Sequence, residues 1–528
     1  MKEGYNHVSG KMTSGKNISY WLESVPSVPV FDELKENLEA DVVIVGAGLG
    51  GLSVAYNLVL EGLKVVVVED GGIGSGETGR TTAHLASALD DRFYTLQDHF
   101  GKEKTRIIAE SHKAAIDFIE KTVQKEKISC DFYRVNGYLF LHPTDDEKNL
   151  KKEFKAAKEA GMDVVELPRV PNLLTDEGKC LQFSNQAQFH PMKYLNALAE
   201  VIVRNGGKIF TNTHASEIDH NGITSQTGYK VHARHIVIAT NPPVTETVNI
   251  PMRQLPYRTY VIGAFIKNDT LPKALWWDTG NYEISSSNPP YHYVRLQNYD
   301  DHYDLLISGG EDHMVADKST EDVPEENRYS ILEDWTQRRF PIEKVVYRWS
   351  GQVMEPTDSM AYIGRSPFGK DNMYIVTGDS GHGMTHCTIA GMLIRDLIMG
   401  RENPWEKIYN PSRFSIKETG MFFQLLKDDL RAVLKKWFYK DNREISSISP
   451  GEAAIIKIEG EKCGVYRDEE NHLHIVSTSC THMRCMIMWN NDEKSWDCPC
   501  HGSRFTYDGK VITGPANSDL DNYTHKDV

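Results

Sequence analysis

"ADVVIVGAGLGGLSVAYNLVLEGLKVVVVED", residues 40–70, decides the fold of the longer part of the chain. Asp41–Val45 reads as a short buried strand, Leu52–Glu61 as a helix and Lys64–Val68 as a second strand. Gly46, Gly48 and Gly51 fit G-x-G-x-x-G, and Glu69 stands eighteen residues after Gly51, at the end of the second strand. The first glycine permits a tight turn, the second lets backbone approach a pyrophosphate, and the third lets helix and strand pack closely. The helix N-terminus then faces the phosphates and the acid takes the ribose hydroxyls. A lone glycine motif is weak; strand, helix and acid together supply its confirming context. The bland alternative is a glycine-rich turn that binds nothing. The fingerprint does not separate FAD from NAD, although Glu69 opposes a 2′-phosphate.

A length of 528 residues predicts roughly two to four domains, and 40% hydrophobic residues suit a soluble globular chain. A net charge of −15 argues against nucleic acid as a partner and against general attraction to anionic lipid. The apolar run Val42–Leu60 is broken by its glycines, Ser53, Tyr56 and Asn57, so no integral membrane segment is expected. The opening residues MKEGYNHVSGKMTSGKN are polar, and no secretory signal is visible. Cys130, Cys180, Cys387 and Cys463 are scattered, which suits a reducing compartment and a cytoplasmic protein.

Near the other end, "STSCTHMRCMIMWNNDEKSWDCPCHGSRFTYDG" (477–509) carries the remaining four cysteines. Cys480-Thr481-His482 and Cys498-Pro499-Cys500-His501 each offer one thiolate and one imidazole, with fifteen residues between the boxes. Such residues bind a metal, crosslink, or do both. The C-x2-4-C and H-x3-5-H pairs usual for structural zinc are absent. Two loops that each give one Cys and one His supply what a Rieske [2Fe-2S] centre needs, two Cys on one iron and two His on the other. Cys485 and Cys500 fall at matching places beside the boxes and could tie the loops together.

This region, from about Ser446 to Leu520, resembles the Rieske proteins of the subclass with a loop–loop disulfide. The resemblance implies Cys480 and Cys498 on one iron, His482 and His501 on the other, and a Cys485–Cys500 bridge. Gly514-Pro515-Ala516 is similar to the loop that covers the cluster. Arg484 stands where a Gly is common, and Phe505 where respiratory members carry Tyr.

Four earlier segments add to the glycine motif: "GSGETGRTTAHLAS" (74–87), "WSGQVMEPTDSMAYIGR" (349–365), "HIVIATNP" (235–242) and "MYIVTGDSGHGMTHCTIAGMLIRDLIMG" (373–400). The last reads as strand, glycine-rich turn and helix, a second helix N-terminus suited to a flavin ring. Together they resemble the D-amino-acid oxidase superfamily of FAD-dependent oxidoreductases. The resemblance places Gly46, Gly48, Gly51, Glu69, Thr78, Gly79 and Arg80 around adenosine and pyrophosphate, with Ala215 near the adenine. It places Gly378, Gly381, His382, Gly383 and Met384 beside the flavin. FAD is expected to be non-covalent, because the attachment His of some relatives would align nearer Arg80 than His84.

The expected architecture is α/β plus all-β: an N-terminal extension (1–39), and a Rossmann-like FAD domain of the glutathione-reductase type with an inserted mixed-sheet substrate domain (40–405). A linker with an amphipathic helix (406–443) and a small antiparallel β Rieske domain (444–528) follow. The helix, with Phe422, Leu426, Leu430, Val433, Leu434 and Trp437 at helical spacing, is expected to dock on a domain rather than on a membrane. The order of domains resembles a bacterial family of Rieske-type oxidoreductases. Substrate-orienting candidates are Tyr257, Arg258, Tyr260, His313 and Arg348, since an Arg can clamp a carboxylate and a Tyr can donate to it. The leading functional reading is an FAD-dependent dehydrogenase of a small amine or amino-acid-like molecule. Its electrons would pass singly through the cluster to a ferredoxin-like protein or quinone-level carrier. The alternative is an electron-transfer component feeding a partner protein, which the lack of a second glycine motif for NAD(P)H disfavours; a redox sensor ranks third.

Overall fold

The valine-rich runs 42–45 and 65–68 are buried on both faces, and alternate side chains feed two separate cores. Val42, Ile44, Val65 and Val67 enter the large one; Val43, Val45, Val66 and Val68 enter the smaller. In this computed structural model, which describes residues 17–25, 28–244, 250–284, 289–315, 325–367, 369–413 and 443–523, strand Leu38–Val45 lies at the centre of the first sheet. It runs parallel to Val65–Val68 on one side and Lys230–Ile238 on the other. Met373–Thr377 continues the parallel order beyond Lys230–Ile238. The helix spans Leu49–Leu60 and starts three residues earlier than the periodicity predicts, because Gly48 is already its N-cap. It packs on the helix Gly383–Ile398, where a Cβ on Gly391 would sit 2.7 Å from the Ser53 carbonyl oxygen. Gly51 has the same office at the other end of the turn: its Cβ would sit 1.9 Å from the Gly46 carbonyl oxygen.

The second sheet is mixed and has nine strands. Besides the strands between Gln254 and Met314 it takes in Tyr133–Phe140, Cys180–Gln188 and Lys344–Pro356. Its longest strand, Gln254–Lys267, is flanked by Lys344–Pro356 and Tyr303–Met314, both antiparallel to it. The C-terminal part is a pair of small antiparallel sheets, one of Ala453–Ile458, Glu461–Arg467 and Leu473–Ser477, the other of four strands between Met488 and Thr513. Trp496 fills the space between them and is fully buried; a Cβ on Gly464 would meet its ring at 2.8 Å. The amphipathic segment 422–437 lies outside the described residues. Among the described residues no helix is long and apolar enough to cross a membrane.

Candidate redox site

The first glycine turn opens into a groove. Gly46 has φ +107°, and a Cβ there would meet the Ala239 carbonyl oxygen at 2.4 Å, so only glycine fits. Leu49 N–H donates to Thr78 Oγ1 at 3.1 Å. The Glu69 carboxylate accepts from Ala47 N–H at 2.6 Å and Gly71 N–H at 2.9 Å, which fixes the turn beside the groove. Nine of the expected FAD contacts line this groove: Gly46, Gly48, Glu69, Thr78, Arg80, Ala215, Gly381, Gly383 and Met384. Gly51, Gly79 and Gly378 do not line it; Gly51 packs helix to strand, Gly79 packs on Leu22, and Gly378 (φ +70°) packs on Pro356 and Gln254. His382 faces the neighbouring cavity instead. A narrow cradle walled by backbone and ending at two helix N-termini fits a dinucleotide.

Arg80 reaches the groove wall, but its guanidinium is engaged elsewhere. Nη1 donates to Glu493 Oε1 and to the Ser350 carbonyl, both at 2.6 Å, and Nη2 to the Asn17 carbonyl at 2.6 Å. Glu493 belongs to the C-terminal part, so Arg80 is a bond between domains.

A second cavity, about 450 Å³, adjoins the groove at Gly381 and Thr259. Of the five substrate-orienting candidates only Tyr257 lines it. Strand alternation explains this. Tyr257, Thr259 and Val261 face the cavity, whereas Arg258 and Tyr260 face the opposite side of the sheet. There the Arg258 Nη2 donates to Asp497 Oδ2 at 2.7 Å. Burial alone would lower the Arg258 pKa, but Asp497 and Glu493 hold it above its ordinary value. Tyr260 and His313 bond to each other at 3.1 Å, and Arg348 is exposed and paired with Glu333 at 2.8 Å. None of these four approaches the cavity wall, which corrects their candidacy as substrate clamps.

The wall is acidic: Asp90, Asp91, Asp312 and Glu355 line it, and sequence reasoning missed all four. Ser380 Oγ lies 3.1 Å from Asp91 Oδ2 and 2.6 Å from Glu355 Oε1. Burial pushes Asp91 up to about 6 and Asp312 up to about 7, and it pushes Glu355 well above the usual carboxylate range. Tyr291 OH donates to Asp90, whose backbone N–H donates to His382 Nε2 at 2.9 Å. His84 also lines the cavity; its Nδ1 lies 3.1 Å from Thr82 Oγ1 and its Nε2 3.2 Å from the Val294 carbonyl. The one available signal was Asp90-Asp91-Arg92, a charged triplet directly after the apolar 83–89 segment.

In the C-terminal part Cys480 and Cys498 are 1% and 2% exposed, and their sulfurs share a hydrogen bond that lowers the Cys480 thiol to about 6 and raises Cys498. The His482 and His501 rings are 4.9 Å apart at 88°. Cys485 and Cys500 are bridged. Two sulfurs in contact and two crossed imidazoles form the donor set of a [2Fe-2S] centre with mixed ligation. Arg484 has φ +62°, which accounts for glycine being common there.

The two sites lie back to back. On strand Lys344–Pro356, Val353 and Glu355 face the cavity, while Gln352 and Met354 meet Gly502, the residue after His501. The segment Val511–Asn517 reaches over and lines the dinucleotide groove.

A dinucleotide groove beside a second cavity, with an iron–sulfur donor set against the same sheet, defines a two-cofactor oxidoreductase. The family model for FAD-dependent oxidoreductases of the DAO type matches residues 41–397, and that for the Rieske [2Fe-2S] domain matches residues 439–524. The chain is 32% identical to the Rieske 2Fe-2S iron-sulfur protein YhfW of Bacillus subtilis over 503 residues, 94% of this chain and 96% of that one. It is 26% identical to gamma-glutamylputrescine oxidoreductase of Escherichia coli, over 74% of this chain and 91% of the relative. Glycine oxidase from Geobacillus kaustophilus has the same fold, with a TM-score of 0.58, 17% identity, and coverage of 72% of this chain and 100% of that one. The chain belongs to the DAO family of FAD-dependent oxidoreductases, extended by a C-terminal Rieske domain. The first domain binds FAD and the second a [2Fe-2S] cluster.

Proposed function

We propose that the protein is a dehydrogenase of a small cationic amine whose electrons leave through the Rieske domain. The observation that carries this reading is one sheet with the acidic cavity on one face and the His501 loop on the other. Bound FAD supplies hydride acceptance, and the cluster supplies one-electron transfer to an external acceptor of low or middle potential. The chain's own residues select the substrate. Four carboxylates line the cavity, and the Arg92 guanidinium there donates to the Asp278 carbonyl at 3.0 Å. That balance favours an ammonium group and disfavours a second carboxylate. The relative from Escherichia coli is named for gamma-glutamylputrescine. Tyr257 and Tyr293 add aromatic surface to the cavity lining.

Anaerobic titration with a panel of mono- and diamines beside the matching α-amino acids tests this. Amines should bleach the flavin and then the cluster, with Asp312→Asn weakening amine affinity about tenfold. Faster reduction by the amino acids would overturn the substrate reading; a bleached flavin with a cluster that stays oxidised would overturn the route.

A further inference from the structure

Gln352 stands where the two redox halves touch. It is 4% exposed, and its Nε2 donates to the Gly502 carbonyl oxygen at 3.0 Å, next to His501 in the chain. The carbonyl fixes which way the amide points, since only the NH2 end can donate to it. The other end, Oε1, is buried and has no hydrogen-bond partner in the described structure. The same residue lines the dinucleotide groove between Gly351 and Val353. Its backbone N–H is held by Glu77 Oε2 at 2.8 Å, at the start of the turn Glu77–Arg80 that walls the groove. The contact is close from the cluster side too. Gly502 has φ +78°, and a Cβ there would lie 2.6 Å from Gln352 Nε2. A buried carbonyl oxygen is destabilising unless something outside the chain satisfies it.

We propose that Gln352 is a positioning residue that joins the two cofactors: its NH2 holds the Gly502 carbonyl, and with it the His501 loop, while its Oε1 accepts a hydrogen bond from the bound FAD. Electron tunnelling falls steeply with distance and is favoured through bonded and hydrogen-bonded atoms over a gap. One side chain that bonds to both sides gives a continuous covalent and hydrogen-bonded route across the sheet. Each transfer takes one electron from reduced FAD to the oxidised cluster, and no bond of Gln352 is made or broken. The proposal rests on the reading that electrons pass from flavin to cluster, but not on the identity of the substrate.

The test uses the full holoprotein and photoreduction of the flavin, so that no amine is needed. Gln352→Leu, Gln352→Met and Gln352→Asn are compared with the unchanged chain for flavin and iron content, cluster EPR spectrum, both midpoint potentials and the rate of cluster reduction after a light pulse. Leu and Met remove the amide, with Met keeping the length; Asn keeps the amide but falls one methylene short. Expected in all three are full cofactor content, cluster reduction at least tenfold slower, a changed cluster g-tensor and a shifted flavin midpoint. Unchanged midpoints and EPR spectra would overturn the proposal even with slower transfer, because a packing role alone would produce that. Transfer at the original rate in Gln352→Met would overturn it outright. If Leu fails to load, Met and Asn decide by the same criteria. A cluster that never accepts an electron from photoreduced flavin in the unchanged chain would instead remove the underlying route.

Discussion

Ser503 and Phe505 differ in what each offers the cluster's sulfurs, and the cluster's potential is expected to follow from that difference. The Ser503 hydroxyl bonds the Cys480 thiol and accepts from Ala516 N–H at 3.0 Å. Phe505 is fully buried and has no hydroxyl to donate. Tyr507, two residues on, is 39% exposed and packs on His474 with centroids 4.6 Å apart, so it does not take over. Hydrogen bonds to sulfur stabilise the reduced cluster. The midpoint should therefore fall in the low or middle part of the Rieske range of about −150 to +300 mV. Protein-film voltammetry should show Phe505→Tyr raising it by tens of millivolts and Ser503→Ala lowering it. At the other cofactor, Glu69→Ala removes a charged acceptor that also pins two loop amides. FAD retention after dialysis should drop about ten- to a hundredfold, from a loss of roughly 1.5–3 kcal/mol.

At the scale of elements, two strands decide which residues meet the substrate. The glycine turn and the cysteine boxes were legible because their chemistry is local: the spacing within a few residues states the site. The cavity was not. Tyr257, Arg258 and Tyr260 look alike as a polar cluster, and which of them faces substrate depends on strand phase. That phase is set by pairing with Tyr303–Met314 and Lys344–Pro356, tens of residues away. Asp91, Asp312 and Glu355 come from three such distant segments, so no single window contains the acidic wall. Their titration gives a signed prediction. Burial raises Asp91 to about 6 and Asp312 to about 7. Below these values Asp91 and Asp312 are neutral; above them both are anionic and attract a cation. The kcat/KM for an amine should rise from pH 5 to pH 8, and Asp312→Asn should flatten the upper part of that rise. A profile that falls over this interval would contradict the reading.

Across the whole molecule, the domains are held by ions that are out of water. Arg80 meets Glu493, and Asp497 sits between Arg258 at 2.7 Å and Arg504 at 3.2 Å. Burial would raise Glu493 and Asp497, but the arginines outweigh it and hold both below their ordinary values. Their stabilisation is present above the ordinary carboxylate range and is lost as pH falls through the lowered values, so docking should loosen only under acid conditions. Asp497→Asn removes the carboxylate that contacts both guanidiniums and leaves Glu493 to offset them from further away, at a cost of up to about 3–5 kcal/mol. Hydrogen exchange should then quicken at Arg504–Thr506 and Lys344–Pro356 together. A Cys498→Ser protein should lose the cluster yet keep FAD, because the groove is walled mainly by the first domain. The back-to-back sheet has a kinetic consequence as well. On the proposed route substrate and acceptor would reach the protein by different doors, the first through the acidic cavity and the second near the half-buried His482. The reductive and oxidative half-reactions of that route would then not compete for one vestibule. Double-reciprocal plots with both varied should run parallel, and excess amine should leave the acceptor's saturation curve unmoved.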